Sequence, residues 1–123
     1  KYISISDGTY NNRVTFQFPQ GSKTIRTFMF VGGVRQFDMQ YPVSDIRDFH
    51  KVAVKWKEND FALWVDGVKV NVDTLGIVPT INTFTSLALS EIGSTLNPFY
   101  GEVKRLQVFK SAKSDAFLQQ LNY

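Results

Sequence analysis

Residues 52–70 read VAVKWKENDFALWVDGVKV, an alternation of apolar and polar side chains that is interrupted twice. It halts at Glu58-Asn59-Asp60, resumes, and halts again at Asp66-Gly67. A period of two belongs to a strand with one face buried, and Asp-Gly between two such runs is a tight hairpin signal, because Gly accepts positive φ. The stretch therefore predicts two consecutive hairpins. Their faces follow from the alternation: Val52, Val54 and Trp56 lie opposite Lys51, Ala53, Lys55 and Lys57, while Phe61, Leu63 and Val65 lie opposite Ala62, Trp64 and Asp66. The apolar sets are the expected core, which leaves Trp64 on the other face.

The same pattern recurs along the chain. Strands are expected at 1–5, 13–18, 24–31, 34–40, 50–57, 61–66, 68–72, 84–90 and 101–110, separated by Asp7-Gly8, Gly32-Gly33 and other turn signals. Pro42, Pro79 and Pro98 fall in expected connections. Composition agrees: 13 Val, 7 Ile, 9 Thr and 18 aromatic residues outweigh 5 Ala and 8 Leu. One helix is expected at the end, with Ser114 as N-cap, Asp115 in the first turn, and Phe117, Leu118 and Leu121 on one face. In sum, 123 residues suit a single all-β domain, an antiparallel sandwich or barrel closed by a short C-terminal helix.

Several functional classes are disfavoured. There is no cysteine, which removes disulfides and thiolate metal sites. Fourteen basic and eleven acidic residues are interspersed, so no concentrated patch points to nucleic acid. No apolar run approaches the roughly 20 residues of a membrane span. The chain opens on a strand-like Lys1-Tyr2-Ile3-Ser4-Ile5 without Met, and is expected to be the later part of a longer polypeptide.

Catalytic constellations are equally sparse. His50, the single histidine, begins a strand on the Val52/Val54 side and reads as a structural residue at the sheet margin. Asp38, Asp45, Asp48, Asp66 and Asp73 are scattered without EF-hand or His-pair spacing, although a loop calcium ion is compatible with them. Glu58-Asn59-Asp60 opens like a Glu-x-Asp-x-x-Glu glycosidase strand, but Leu63 occupies the position of the second glutamate. No enzyme and no obligatory cofactor are expected. Carbohydrate binding asks only for a ring to stack on a sugar and amides to bond its hydroxyls. Trp64 and Tyr100 are the stacking candidates; Tyr10, Asn11, Asn12 and Asn97 are the hydrogen-bonding ones.

The segment HKVAVKWKENDFALWVDGVKV resembles the concanavalin A-like lectin/glucanase superfamily, specifically its laminin-G-like members with their His-x-Val-Ala-Val strand and aromatic-Val-Asp-Gly hairpin. FYGEVKRLQVFKSAKSDAFLQQL is similar to that family's closing strand and helix, and ISDGTYNNRV and VSDIRDFHKVAVKWK extend the likeness over nearly the whole chain. The versions it resembles most are those of bacteriophage tail fibres, spikes and head decorations. This implies an antiparallel two-sheet jelly-roll sandwich spanning 1–123 that lacks the family's first strands. It also implies a non-catalytic adhesion or structural module of a virion, binding bacterial surface glycans, contacting other virion chains and assembling as a homo-oligomer. The alternatives are a purely structural virion domain that contacts protein, and a secreted carbohydrate-binding module.

Overall fold

A computed structural model describes residues 1–19, 21–92 and 96–121. Among these, β1 (Tyr2–Ser6), β2 (Arg13–Gln17), β3 (Thr24–Val31), β4 (Val34–Pro42) and β8 (Ser86–Ala88) form an antiparallel sheet of order β4-β3-β2-β1-β8. A second antiparallel sheet holds β5 (Val52–Lys57), β6 (Asp60–Val65) and β7 (Val68–Asp73) in sequence order. The helix α1 (Asp115–Leu121) follows. This is the expected all-β, two-sheet arrangement with a terminal helix.

Turn chemistry sets the registers. Gly32-Gly33 (φ 58° and 80°) and Asp66-Gly67 (φ 51° and 84°) each join strands through two residues of positive φ, the type I′ geometry that matches strand twist. Asp7-Gly8 is different. It opens a six-residue connection from Ser6 to Arg13 instead of a two-residue reversal, because Asp7 turns its carboxylate inward to the loop itself. Pro42 also departs from expectation: it ends β4, an edge strand, where its missing N–H costs little.

The core lies between the sheets. Val14, Ile25, Met29, Phe37 and Met39 meet Phe61, Leu63 and Val65, and the Phe37 and Phe61 rings pack 4.9 Å apart between centroids. A smaller second core forms on the outer face of the three-stranded sheet, where Ala62 and Trp64 pack under Leu118 of α1. Ser114 caps this helix: the Phe117 N–H donates to its Oγ at 3.2 Å. Leu118 alone of the three expected apolar helix residues is buried, whereas Phe117 and Leu121 are partly exposed.

The expected strand 101–110 is not formed, and 84–90 contributes only Ser86–Ala88 to a ladder. In 101–110 the apolar residues do not keep the period of two of a half-buried strand. Val103, Leu106 and Val108 share a face only if the strand carries a bulge, since Leu106 comes three positions after Val103 and Val108 two positions after Leu106.

Candidate functional site

The residues expected to bind sugar separate into three places. Trp64 is 1% exposed, sealed beneath α1. Lys55 and Lys69 Nζ stand 5.8 and 5.7 Å from its ring centroid, and Asp115 holds both ammonium groups, at 3.1 and 2.6 Å. A ring covered this way has no face for a sugar. The alternation assigned Trp64 to the correct face; it could not show that a helix covers that face. Tyr100 lies elsewhere, 72% exposed on the connection after Phe99.

Tyr10, Asn11 and Asn12 stand together in the β1–β2 loop, next to the β3–β4 turn. Asp7 organises them by accepting hydrogen bonds from Thr9 N (2.9 Å), Thr9 Oγ1 (2.6 Å) and Asn12 Nδ2 (2.8 Å), which hold its carboxyl below the usual range. Asn12 Oδ1 accepts from Gly32 N at 2.9 Å, so both ends of that amide are occupied by structural bonds. The Tyr10 ring rests on the Arg13 guanidinium, which also lies over Phe28 and Phe30. Arg13 approaches Glu91 at 3.8 Å, and Glu91 accepts from Asn97 Nδ2 at 2.6 Å. Asn97 is thereby linked to Tyr10 through two ion-pair partners, in a bracing role.

Several carboxylates are engaged by cations. Arg26 grips Asp38 with two bonds of 2.8 and 2.7 Å, and this pairing lowers the Asp38 pKa. Arg47 holds Asp45, whose pKa falls to about 2. Asp60, from the glycosidase-like trio, contacts Lys55 at 3.0 Å on the β5–β6 hairpin. His50 is a structural clasp, with Nδ1 2.8 Å from Asp66 Oδ2 and Nε2 2.7 Å from the Asp45 carbonyl. No group of three or more His, Cys, Asp or Glu among the described residues could hold a metal ion.

A feature that the sequence reading passed over lies after β7. Gly76 adopts φ 152°, and a Cβ there would come within 2.8 Å of Phe61 Cε2 and 3.2 Å of the Gln36 backbone oxygen. Its backbone is tied to the β5–β6 turn in both directions: Gly76 N donates to Asn59 Oδ1 (3.0 Å) and Asn59 N donates to Gly76 O (2.9 Å). Ile77 N donates to Gln36 Oε1 at 3.0 Å. The connection is thus nailed to the core at one point while it presents Leu75 (77% exposed), Ile77 and Ile81 (90% exposed) to solvent. An apolar run, Leu-Gly-Ile-Val-Pro-Thr-Ile, inside an expected loop was the available signal.

An opening runs along the edge of β5 that has no ladder partner among the described residues. A cavity of about 1280 Å³ there exposes Ile3, Ile5, Val52, Val54 and Trp56.

The chain is similar to a solved structure of an S-layer domain-containing protein (residues 221–444) from Clostridium thermocellum ATCC 27405, with TM-score 0.52 and 16% identity. The fold is a two-sheet antiparallel β-sandwich. The likeness covers 97% of this chain and 60% of that one, so this sandwich corresponds to less than two thirds of its relative. No protein-family model and no curated protein matches the chain. Within the described residues, no helix is long and apolar enough to cross a membrane.

Proposed function

We propose that this chain is a non-catalytic structural module that packs against further copies of itself in an extracellular assembly, a cell-surface layer or a virion shell. The observation that carries this reading is the presentation of Leu75, Ile77 and Ile81 on a connection locked to the core through Gly76. Aliphatic side chains offer neither a π face nor hydrogen bonds to a sugar. They gain free energy by burial against apolar protein surface, at about 25 cal/mol per Å². Holding them on a rigid support lowers the ordering cost of association. The likeness in fold to an S-layer domain-containing protein supports the surface-assembly setting, and the carboxylates spent on ion pairs support a non-catalytic role. On this reading residues 1–123 are one jelly-roll unit of the laminin-G-like kind. Light scattering tests it: the mass should rise with concentration above that of one chain, and a mass of 14.0 kDa at every concentration would refute it.

Glycan adhesion is the second reading, favoured by the exposed Tyr10 ring backed by Arg13 beside Asn11. Tyr100 is the other accessible ring. Screening on bacterial glycans with and without calcium would distinguish it, since Tyr10→Ala should then abolish retention without affecting self-association.

A further inference from the structure

The connection from β7 to β8 crosses one end of the sandwich and is fixed at both margins. Gly76 N donates to Asn59 Oδ1 on the β5–β6 turn, and Thr85 N donates to Ser6 O at the end of β1. Between those points Val78 and Phe84 pack against the main core. The tip between them is a closed turn. Thr83 N donates to Thr80 O at 3.2 Å, the two threonine hydroxyls bond at 2.8 Å, and Asn82 takes the positive φ (66°) that a type II turn needs at its third residue. Ile81, the most exposed apolar side chain of this connection, is the second residue of that turn. A β-branched side chain on a closed turn has little freedom left to lose, so Ile81 is pre-organised for burial against a partner.

Two further loops reach the same end. The β3–β4 turn is joined to the β1–β2 loop, with Gly33 N donating to Asn11 O at 3.0 Å and Gly32 N to Asn12 Oδ1 at 2.9 Å. It is joined to the β7–β8 connection through Gln36, whose Nε2 donates to Val34 O (3.2 Å) and whose Oε1 accepts from Ile77 N (3.0 Å). The exposed Tyr10 and Val34 therefore belong to the same end surface as Leu75, Ile77 and Ile81. Charge around this end is of both signs. Lys57 and Glu58 precede Asn59, Arg35 follows Val34, and Asp73 Oδ1 accepts from Leu75 N at 3.1 Å. A surface of mixed sign does not suit a partner of one sign, such as an acidic polysaccharide, whereas two copies of it can meet with unlike charges opposed.

We infer that two copies of the chain join end to end through this surface, about a two-fold axis near Ile81, with Tyr10 and Val34 inside the contact. The inference rests on the self-association reading and narrows it. An isologous contact uses the same surface on both partners, so this one closes at two chains, and any larger assembly is built from that dimer through other surfaces.

Three measurements on the intact chain test it. In sedimentation equilibrium the parent mass should level off at twice 14.0 kDa. Val34→Asp and Tyr10→Ala should each weaken association by at least about tenfold with the thermal midpoint retained. The chain has no cysteine, so Ile81→Cys carries a single thiol; under diamide it should form the covalent dimer at least about tenfold faster than Tyr100→Cys, an exposed control outside this end. A parent that stays monomeric would refute both the self-association reading and this inference. A parent that associates without levelling off, that is indifferent to Val34→Asp, or whose Ile81→Cys variant crosslinks no faster than Tyr100→Cys would overturn the inference and leave the reading standing. Tyr10→Ala separates the dimer from glycan adhesion, under which self-association is unchanged by that substitution.

Discussion

Lys55 and Asp115 are 60 residues apart in the chain and 3.1 Å apart in space, and this contact docks the helix on the sheet. Lys55 Nζ also reaches Asp60 at 3.0 Å, while the other Asp115 oxygen takes Lys69 at 2.6 Å. Asp115→Ala should therefore loosen α1 rather than unfold the sandwich, costing about 1 kcal/mol because the carboxylate is half exposed. Tryptophan emission checks this: the spectrum should shift to the red as Trp64 gains water. The bonds from Lys69 and Lys55 depress the Asp115 pKa, so this contribution is present above the ordinary carboxylate value and is lost as pH falls through the lowered one.

Trp64→Ala removes the centre of the smaller core. A buried ring of this size costs about 3–5 kcal/mol when truncated to Ala. Tyr100→Ala, at an exposed position, should stay within about 0.5 kcal/mol of the parent. Urea denaturation of the two variants separates these roles, and equal stability of both would mean that α1 does not cover Trp64.

Gly76→Ala adds a methyl group 2.8 Å from the Phe61 ring in a backbone region that L side chains rarely adopt. The expected loss is about 1–3 kcal/mol. A thermal midpoint unchanged by the substitution would show that the connection after β7 is not held as described.

His50 places a ring nitrogen against each of two acceptors, which requires both nitrogens to carry protons. The bonds to the Asp45 carbonyl and then to Asp66 raise its pKa above the ordinary 6.5. A raised folded pKa gives stability that is complete below the unfolded value and is lost as pH rises through the folded one. The chain should accordingly lose stability as pH climbs upward from 6.5, and His50→Ala should flatten that slope in urea titrations. An identical slope in the variant would assign the dependence to another group.

Legibility differed by element, for physical reasons. The hairpins at Gly32-Gly33 and Asp66-Gly67 could be read because positive φ restricts residue choice so strongly. Asp7-Gly8 carries the same letters, yet the Asp7 side chain satisfies a longer loop, a choice set by Thr9 and Asn12. Alternation correctly assigned Trp64 to the face opposite Leu63 and was silent on Leu118, which covers it. Strand propensity at 101–110 likewise cannot supply a ladder partner. Of the sugar-binding candidates, Tyr10, Asn11 and Asn12 cluster because they are neighbours in sequence. Asn97 joins them only through Glu91 and Arg13, and Trp64 lies on the other sheet.

Sedimentation equilibrium of the parent chain beside Ile81→Asp tests the proposed self-association most directly. Placing a charge where Ile81 would be buried should weaken association by at least about tenfold while leaving the thermal midpoint unchanged, since Ile81 touches no core. Indistinguishable association of the two chains would contradict the assignment of this surface to self-assembly.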